Sequence, residues 1–525
     1  MRGAEEYGTA RVCVPVCARR AGELAETIAR VAADADLIEV RFDCLEGSEP
    51  EAALRMLAGA AAPRPLLYTL RPAAQGGRRE LDARRRRDFW ALASELTQTS
   101  PAPDFVDLEL DFLKGPHAAA ARDLASRSTL ICSHHDFRGT PADLALIYEE
   151  MARTPARVLK LAVRAERITD CLEIFRLLER ARVEGRALIA LAMGEAGLLT
   201  RVLGPSRGSF LTYGAPDAAH ATAPGQPTAR ELRELYRVRH IGRGTLVTGL
   251  VGSPVTHSLS PHMHNAAFAA CRIDGVYIPF EVCDLEAFVR RMADPRTREL
   301  DWNLRGFSVT APHKKTVVEH LDRLSPVAAA VGAVNTVLVE GEELIGENTD
   351  AAACIEPLGN LLALGGARAA VLGAGGAARA LLWALHESGA RATVFARDPA
   401  RARDSAADFG ADSAALDGAT FVGFDLVVNA TPLGTRGPLE GETPATSAQL
   451  RGARVAYDLV YNPPETRFLR EARAAGCATL GGLHMLVAQA AAQFKIWTGV
   501  DAPPGAMRAA AEKQLSDAGE RHAPG

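Results

Sequence analysis

Eight short apolar runs recur through roughly the first 220 residues of the chain, and helical patterns lie between most of them. A strand followed by a helix, repeated eight times, predicts a (β/α)8 barrel, in which a parallel sheet closes on itself. The predicted strands are VCVPV (12–16), LIEVRF (37–42), LLYTL (66–70), FVDLEL (105–110), TLICS (129–133), VLKLAV (158–163), ALIALAM (187–193) and SFLTYG (209–214). The clearest helical patterns cover residues 23–33, 82–96, 141–152 and 166–183.

Charged and polar side chains stand at the ends of these predicted strands. Active sites of (β/α)8 barrels lie at the carboxyl ends of the strands, so functional residues are expected there. The candidates are Glu39 and Arg41 in the second strand, Arg71 after the third, His134 and His135 after the fifth, Lys160 in the sixth, Arg201 after the seventh and Gln226 beyond the eighth.

Lys160 is the most informative candidate, because it lies in the middle of the apolar run VLKLAV. Its ammonium would point into the barrel, where loss of water disfavours the charge. We therefore interpret Lys160 as an amine nucleophile suited to Schiff-base chemistry, rather than as a surface or salt-bridged lysine. A neighbouring nucleophile favours an acid–base role for His135 over a place in the core, and three arginines at strand ends suit a carboxylate.

The segments IEVRFD, SHHDF, VLKLAV, LLTRVLG and TAPGQ together resemble the type I 3-dehydroquinate dehydratases, over residues 12–236. The resemblance implies that Lys160 forms an imine with the ketone of 3-dehydroquinate. His135 would then take a proton from the adjacent carbon and help the hydroxyl leave, giving 3-dehydroshikimate. It also implies that the carboxylate and hydroxyls are held by Arg41, Arg71 and Arg201, and that the pocket is completed by Glu39, Thr222 and Gln226.

One position departs from this family pattern. A glutamate usually precedes the paired glycines after the third strand, where it orients and charge-balances the catalytic histidine, but this chain has Gln75 there. Glutamine can accept a hydrogen bond and brings no negative charge, so His135 should hold its proton less tightly. We expect a dehydratase that works but is slower or shifted in its pH optimum. Thr222 replaces the usual serine and keeps the hydroxyl.

The pattern changes between Ala223 and Pro261, where a predicted helix at 228–240 ends the barrel and LVTGLVG begins a new strand. Further on, RAAVLGAGGAARALLWALHESG reads as a strand, a glycine turn and a helix, and the next strand ends at Arg397, 24 residues past Gly373. This arrangement predicts a dinucleotide-binding βαβ unit with a pyrophosphate at the helix N-terminus. The cofactor-binding turn consists of Gly373, Ala374, Gly375, Gly376 and Ala377.

The residues at the end of the second strand of this βαβ unit indicate whether NAD or NADP binds. NAD sites usually carry an acid there, whereas a basic residue accommodates a 2′-phosphate. Arg397 and Arg401 therefore favour NADP over NAD, although Asp398 beside them could approach the same ribose hydroxyl.

Residues that could move a proton lie upstream of the glycine turn, in FSVTAPHKK, GAVNT and GENTD. A lysine and an aspartate beside a nicotinamide can pass a proton to or from an alcohol while a hydride moves, which makes Lys314 and Asp350 candidates. Lys314 and Lys315 could instead both face solvent at the start of a helix. The histidines at 257, 262, 264 and 313 are irregularly spaced, so no metal site is predicted.

The motifs GSPVTHSLSP, VTAPHK, GAVNT, NTD, VLGAGGAARA, VVNATPLG, YDLVYNPPET and GGLHMLVAQA occur in an order that resembles the shikimate dehydrogenases, over residues 245–500. The resemblance implies reduction of 3-dehydroshikimate to shikimate with NADPH, with Lys314 and Asp350 moving the proton. Ser258 and Ser260 would hold the carboxylate. The implied hydroxyl contacts are Thr310, Asn335, Asn348, Asp350 and Gln489, with Tyr461 near the substrate and Asn429, Thr431 and Met485 near the cofactor. Ser308 stands where asparagine is common.

The whole chain is thus expected to be an α/β protein carrying two successive steps of the shikimate pathway. The predicted divisions are a barrel at 1–240, a linker at 241–244, a shikimate-binding domain at 245–350 completed by 482–510, a Rossmann-type NADP-binding domain at 351–481 and a polar tail at 511–525. Two alternatives remain: a second half that acts mainly as a quinate dehydrogenase, and a non-catalytic sensor of pathway intermediates. The serine pair argues against the first, and the retained lysines, His135 and Asp350 against the second.

Composition excludes several classes of partner. A net charge of -4 offers no basic excess to attract nucleic acid or an anionic membrane, and no apolar run approaches the roughly 18 residues of a membrane span.

The nine cysteines are scattered, which predicts reduced thiols in a cytoplasmic protein and no disulfide framework. The apolar pattern starts by Val12, so no targeting peptide is expected. The arginine-rich run at 79–88 is typical of a solvated helix face.

Overall fold

The computed structural model describes residues 10–58, 60–116, 119 and 122–520. The packing of the chain divides it into two compact units. The first contains the residues up to 246 with 278–293 and 297–303, and the second contains 247–277, 294–296 and the residues from 304 onward.

Eight parallel strands form the sheet of the first unit, and each predicted run supplies one of them. They are β1 (Val12–Val16), β2 (Leu37–Arg41), β3 (Leu66–Thr69), β4 (Phe105–Glu109), β5 (Thr129–Asp136), β6 (Val158–Arg164), β7 (Ala187–Met193) and β8 (Thr212–Tyr213). The sheet order is β7-β6-β5-β4-β3-β2-β1-β8, and a bridge between Leu188 and Ser209 links its two edges. The predicted (β/α)8 barrel is confirmed as a nearly closed barrel.

The helices of this unit follow the predicted patterns with shorter bounds. They are α1 (Leu24–Val31), α2 (Glu49–Leu57), α3 (Ala83–Leu96), α4 (Leu110–Lys114), α5 (Arg122–Arg127), α6 (Leu144–Ala152), α7 (Cys171–Val183) and α8 (Leu198–Leu203). Asp82 starts α3, because its carboxylate accepts a hydrogen bond from the backbone of Arg85 at 2.7 Å. The continuous helix predicted at 228–240 is wrong: a π-helical turn at Glu231–Leu235 ends before Arg237, whose φ of 51° no right-handed helix allows.

Two six-stranded sheets follow the barrel. The first has the order β10-β9-β11-β13-β14-β12 and mixes parallel and antiparallel pairs. Its strands are β9 (Leu246–Gly252), β10 (Gly275–Glu281), β11 (Leu304–Val309), β12 (Arg323–Leu324), β13 (Thr336–Glu340) and β14 (Glu343–Glu347). The associated helices are α9 (Ser260–Ala270), α10 (Leu285–Phe288), α11 (Pro326–Val331) and α12 (Asp350–Ile355). The strands β12 and β14 have no counterpart in the sequence prediction.

The second sheet is wholly parallel and has the order β17-β16-β15-β18-β19-β20. Counted from its own first strand this is 3-2-1-4-5-6, the strand order of doubly wound dinucleotide-binding domains. Its strands are β15 (Arg368–Leu372), β16 (Arg391–Ala396), β17 (Asp412–Ala415), β18 (Leu426–Asn429), β19 (Val455–Asp458) and β20 (Ala478–Leu480). The helices of this sheet are α13 (Gly376–Glu387), α14 (Pro399–Ala407), α15 (Ser447–Leu450) and α16 (Arg467–Ala474). The last two helices, α17 (Leu483–Thr498) and α18 (Pro504–Glu520), pack against α9 beside the first six-stranded sheet.

Three features differ from the sequence prediction. Residues 511–520 of the expected polar tail at 511–525 belong to α18, where Ala511 and Leu515 are buried, and residues 521–525 lie outside the described part of the chain. The prediction that all thiols are reduced is wrong, because Cys17 and Cys44 form a disulfide that joins the segments after β1 and β2. Arg86 in the arginine-rich run is buried rather than solvated. No helix in the described part of the chain combines the length and apolar character needed to cross a bilayer.

Candidate active sites

One cavity lies at the carboxyl ends of the barrel strands and brings together the candidate residues of the dehydratase site, with the exception of His134. Glu39 and Arg41 are two residues apart on β2, so both side chains point to the same side of the strand. The predicted residues in the lining are Glu39, Arg41, Arg71, His135, Lys160, Arg201, Thr222 and Gln226. His134, the other histidine candidate, does not line the cavity.

Lys160 lies 4% exposed in this cavity, with its Nζ atom 3.0 Å from Asp107 Oδ2 and 3.3 Å from Glu39 Oε1. The ammonium also lies 4.3 Å from the ring centroid of Tyr213, within the range of a cation–π contact. The lysine is therefore buried, as expected, but it is also salt-bridged. The sequence interpretation did not include these two carboxylate contacts.

A buried network of charges supports Lys160, and sequence reasoning missed most of its members. Arg71 donates to Asp107 at 2.6 Å and to Glu109 at 3.0 Å, and Ser133 donates to Asp107 at 2.5 Å. Arg71 and Lys160 hold the pKa of Asp107 at about 2, against the opposing effect of burial. The signal for these acids was present in FVDLEL, where two carboxylates alternate along an apolar strand.

Arg86 extends the same network. It donates to Glu109 at 3.1 Å and to Asp111 at 2.7 Å, and its guanidinium lies over the ring of Phe112. The sequence predicted solvated side chains because four arginines occur in a row, and Arg86 is the one of the four that is buried. Composition cannot distinguish this arginine from its neighbours, because the orientation of the helix decides which side chain faces the barrel.

Arg201 differs from the other arginines of the cavity in having no carboxylate partner among the described residues. It is 1% exposed, one terminal nitrogen donates to the backbone oxygen of Tyr213 at 3.4 Å, and its Nε and other terminal nitrogen are buried without partners. Burial lowers the pKa of Arg201 to about 10. Its free donors suit the carboxylate of a ligand.

His135 is half-buried, and its Nδ1 atom has no hydrogen-bond partner among the described residues. Burial first, and then the positive charges of Arg71, Lys160 and Arg41, lower the pKa of His135 well below its usual value. The imidazole is therefore neutral near pH 7 and can accept a proton. Gln75 contacts the backbone amide of His135 at 3.3 Å through Oε1, while its Nε2 donates to Asp111 at 3.1 Å.

The loop with Thr222 and Gln226 forms one wall of this cavity. Gln226 Oε1 accepts hydrogen bonds from the Thr222 backbone at 2.9 Å and from its hydroxyl at 3.1 Å. Gly225 between them has a φ of 61°, and a Cβ there would lie 2.4 Å from the carbonyl carbon of Gly194. Glycine is therefore required for the loop to approach the end of β7.

A second cavity lies in the second unit, between the first six-stranded sheet and the dinucleotide-binding domain. Its lining includes most of the residues predicted to contact the second substrate, and also Ala377 and Met485 from the predicted cofactor set. The predicted substrate and proton-transfer residues in the lining are Ser258, Ser260, Thr310, Lys314, Asn335, Asp350, Tyr461 and Gln489.

Lys314 and Asp350 form an ion pair of 2.5 Å in this cavity. Asn335 donates to the other oxygen of Asp350 at 2.8 Å, so both oxygens of the carboxylate are fixed. The alternative in which Lys314 faces solvent does not hold, because its side chain is only 24% exposed. A lysine and an aspartate in contact can exchange a proton with a substrate hydroxyl.

Ser308, Tyr277 and Gln493 form a hydrogen-bonded chain at the serine end of the cavity. Tyr277 donates to Ser308 at 2.8 Å, and Ser308 donates to Gln493 Oε1 at 2.9 Å. Ser308 and Gln493 line the cavity together with Ser258 and Ser260. The sequence prediction contained neither Tyr277 nor Gln493, since a single tyrosine or glutamine in an apolar element carries no pattern.

Asn348 and Asn429 were predicted as ligand contacts, but both bond to other residues of the second unit and neither lines its cavity. Asn348 is absent from the lining, because its Nδ2 donates to the backbone of Ala333 at 2.9 Å and its Oδ1 accepts from that of Ala351 at 3.2 Å. Asn429 is fully buried and bonds to Asp458 and to Thr431 at 2.9 and 2.6 Å. Their direct contact with ligands stays a prediction.

The glycine turn has the geometry that a dinucleotide needs. Gly373 has a φ of 115°, and a Cβ there would lie 2.9 Å from the oxygen of Ala430. No atom would lie within 4 Å of a Cβ at Gly375, so the approach to the N-terminus of α13 is clear. Asp398 accepts from the backbone of Ala400 at 2.9 Å and of Arg401 at 3.4 Å, so its carboxylate caps α14. Arg397 and Arg401 are exposed.

Comparisons with known proteins match both halves of the chain. Residues 12–243 match the model of the type I 3-dehydroquinase family. Residues 250–337 match that of the shikimate dehydrogenase substrate binding domain, and residues 482–512 match that of the shikimate 5'-dehydrogenase C-terminal domain.

Individual relatives show the same division. A bifunctional 3-dehydroquinate dehydratase/shikimate dehydrogenase of Arabidopsis thaliana, described as chloroplastic, is 34% identical over 94% of this chain and 82% of its own. An NADP(+) shikimate dehydrogenase of Salinibacter ruber is 43% identical over 50% of this chain and 95% of its own. The structure of a Thermus thermophilus shikimate 5-dehydrogenase with NADP(H) and shikimate is 40% identical, covers 51% of this chain and 99% of its own, and has a TM-score of 0.46.

Proposed function

The chain belongs to the family of bifunctional 3-dehydroquinate dehydratases/shikimate dehydrogenases, and on this premise we propose how its two cavities divide the chemistry. The barrel dehydrates 3-dehydroquinate to 3-dehydroshikimate, and the second unit reduces 3-dehydroshikimate to shikimate with NADPH. The observation that carries the proposal is that one chain holds Lys160 beside His135 in one cavity and Lys314 on Asp350 in another.

In the barrel, Lys160 forms an imine with the ketone of the substrate. The protonated imine acts as an electron sink, so His135 can remove a proton from the adjacent carbon and then give it to the departing hydroxyl. Arg201, whose Nε and one terminal nitrogen have no partner among the described residues, binds the substrate carboxylate. Arg41, Arg71, Glu39, Thr222 and Gln226 bind the hydroxyls and complete the pocket.

In the second unit, the substrate carboxylate binds at Ser258 and Ser260, where α9 begins. Thr310, Asn335, Gln489 and Tyr461 surround the ring of the substrate. When bound, NADPH supplies the hydride. The Lys314–Asp350 pair supplies the proton to the developing alkoxide, and Asn335 fixes the orientation of the carboxylate.

NADP is the preferred cofactor because Arg397 and Arg401 are available for a 2′-phosphate while Asp398 is engaged as the cap of α14. The glycine turn from Gly373 to Ala377 would hold the pyrophosphate. The described residues contain no cluster of ligands for a metal ion, and neither proposed reaction uses one. Small molecules are the proposed partners, and a cytoplasmic location stays a prediction.

A coupled assay tests the proposal, with 3-dehydroquinate and NADPH supplied to the full chain and to two variants. Lys160→Ala should block dehydration and leave reduction of added 3-dehydroshikimate intact. Lys314→Ala should impair reduction strongly and leave dehydration intact. Loss of both activities in either variant would contradict two independent sites.

The same assay separates the two alternatives. A quinate dehydrogenase would reduce 3-dehydroquinate faster than 3-dehydroshikimate in the Lys160→Ala variant, where dehydration cannot interfere. A sensor would bind 3-dehydroquinate, yet borohydride would trap no adduct on Lys160 and NADPH would not be consumed.

A further inference from the structure

The side-chain amide of Gln75 connects the strand that carries His135 to a helix outside the barrel cavity. Its Oε1 accepts from the backbone amide of His135 at 3.3 Å, and its Nε2 donates to Asp111 Oδ1 at 3.1 Å. Asp111 lies in the first turn of α4. Gln75 and His135 line the cavity, whereas Asp111 does not. A residue outside the cavity is therefore linked to the histidine through one amide.

The backbone amide of His135 lies beyond the end of the neighbouring strand. Thr129, at the start of β5, donates to the backbone oxygen of Asp104 at 2.8 Å, just before β4 begins. Alternate amides of a strand face the same neighbour, so the amide of His135 also faces the β4 side. However, β4 ends at Glu109, which pairs with the residue two before His135. The oxygen of Gln75 therefore serves as the acceptor that β4 no longer supplies.

The amide of Gln75 has two possible orientations, and Asp111 selects one of them. A glutamine amide carries an acceptor at one end and donors at the other, in nearly the same shape. If the amide were reversed, Nε2 would meet the backbone N–H of His135, and two donors would face each other. The carboxylate of Asp111 accepts from Nε2 and thereby directs Oε1 towards His135.

Arg86 gives the carboxylate of Asp111 a defined position. The side chain of Asp111 is 54% exposed, but that of Arg86 is only 8% exposed. Arg86 donates to Oδ2 of Asp111 at 2.7 Å, and its guanidinium lies 5.3 Å from the ring centroid of Phe112. A buried guanidinium thus holds one oxygen of Asp111, and the other oxygen holds Gln75.

Arg86 also offers a second route from Asp111 to the cavity. It donates to Glu109 at 3.1 Å, and Glu109 accepts from Arg71 at 3.0 Å. An effect of Asp111 along this route would reach a guanidinium that binds substrate. An effect through Gln75 would instead reach the residue that transfers protons. The first would change KM for the substrate and the second would change kcat.

We propose that Asp111 is a positioning residue for His135 and acts through Gln75. This role rests on the proposed dehydratase activity and deepens it. Asp111 fixes the orientation of the Gln75 amide, and the amide then fixes the end of β5, where the imidazole faces the substrate. A general base must stay within hydrogen-bond reach of the proton that it removes, so a displaced strand end slows turnover.

Steady-state dehydration of 3-dehydroquinate by the full chain tests this role. Asp111→Ala should lower kcat about fivefold, the effect of one lost hydrogen bond, and should change KM less than about twofold. Asp111→Asn should lower kcat only about twofold, because an asparagine amide can still accept from Nε2 in one of its orientations.

The residue at position 75 decides the sign of the effect. In the Gln75→Glu background, Asp111→Ala should not lower kcat and should raise it where repulsion between the two carboxylates displaces the side chain. In the Gln75→Ala background, kcat is already low and Asp111→Ala should lower it no further. A general loss of stability would lower kcat in all three backgrounds.

Lys114→Ala is the matched control. It removes an ion pair of 2.8 Å between α4 and Glu150, and both side chains are about half exposed. It should leave kcat and KM unchanged in each background. The thermal unfolding midpoint verifies that the variants fold, and Asp111→Asn carries the comparison if Asp111→Ala does not.

An equal loss of kcat in the wild-type and Gln75→Glu backgrounds would overturn the proposal. A rise in KM without a loss of kcat would also overturn it, and would assign Asp111 to the route through Arg71. Absence of dehydration by the wild-type chain would refute the proposed function itself, and the role of Asp111 with it.

Discussion

Two buried arginines of the barrel cavity differ in the partners that the protein gives them. Arg71 has carboxylates at 2.6 and 3.0 Å, whereas Arg201 has no carboxylate partner among the described residues. A buried cation without a partner destabilises the free protein and prepares a site for an anion. The sequence analysis assigned both arginines to strand ends and could not distinguish them, because the carboxylate partners of Arg71 lie on β4, more than 30 residues away along the chain.

This difference predicts opposite effects on stability. Arg201→Met should raise the unfolding free energy of the free protein, by about 1 to 3 kcal/mol, because it removes an unpaired buried charge. It should also raise the KM for 3-dehydroquinate about 100-fold, through loss of a charge-assisted contact. Denaturant unfolding and steady-state kinetics measure both effects.

Arg71→Met is the control for this prediction. It leaves Asp107 and Glu109 without a major partner, so the unfolding free energy should fall by about 3 to 5 kcal/mol. Equal destabilisation by the two substitutions would contradict the assignment of Arg201 to ligand binding.

Gln75 predicts a pH effect whose sign follows from the charges near His135. The pKa of His135 is lowered by burial and nearby cations, so its basic form persists to low pH. Gln75→Glu adds a negative charge, which raises this pKa. Because a general base is lost as pH falls through its pKa, the acidic limb of the dehydratase rate should move to higher pH, by about one unit, together with a faster rate at neutral pH.

The contact of Gln75 with Asp111 supplies a control. In Gln75→Glu the new carboxylate would face Asp111, which now accepts from the amide at 3.1 Å. Adding Asp111→Asn should remove this repulsion and restore stability without reversing the shift of the acidic limb. An unchanged rate and pH profile in Gln75→Glu would show that the departure from the family pattern has no catalytic effect.

At the scale of elements, the sequence predicted the eight barrel strands better than the helix at 228–240 that ends the barrel. A buried strand is specified locally by its apolar run, and all eight runs became strands of the barrel. The helix predicted at 228–240 failed because the left-handed conformation of Arg237 depends on packing that no local pattern reports. The strand β14 was missed for a similar reason, since ELIGE is short and only half apolar.

The disulfide is the largest error of the sequence prediction at this scale. Cys17 and Cys44 are 27 residues apart, and spacing alone does not show that they follow adjacent parallel strands. Closing a loop of this length stabilises a protein by about 3 to 4 kcal/mol in the chain-entropy model. Reduction should lower the unfolding free energy of the barrel by up to that amount, while Cys17→Ser should show no further loss under reducing conditions. Equal stability of the oxidised and reduced chains would contradict the link.

The N-terminus of α14 gives a prediction about cofactor choice. Asp398→Ala should lower stability by about 1 kcal/mol, through loss of the cap, and leave the preference for NADPH over NADH unchanged. Arg397→Ala with Arg401→Ala should lower kcat/KM for NADPH at least tenfold and change that for NADH little. A stronger NADPH preference in Asp398→Ala would show that this carboxylate acts on the ribose as well.

At the scale of the whole molecule, the two cavities are built from separate residues. Every residue that lines the barrel cavity lies before residue 227, and every residue that lines the second cavity lies after residue 249. The change of sequence pattern between Ala223 and Pro261 indicated this division, because the strand pattern of the first half differs from the strands and glycine turn of the second half. The partners of the cavity residues, such as Asp107 and Gln493, could not be predicted, because they come from strands and helices that are distant along the chain.

Separate cavities predict that 3-dehydroshikimate passes through solvent between the two reactions. An equimolar mixture of the Lys160→Ala and Lys314→Ala variants supplies one working site of each kind on different molecules. At matched site concentrations, the lag before shikimate appears should be the same for this mixture as for the wild-type chain. Stopped-flow measurement of NADPH absorbance from added 3-dehydroquinate reports the lag, and a clearly shorter lag in the wild type would show direct transfer within one chain.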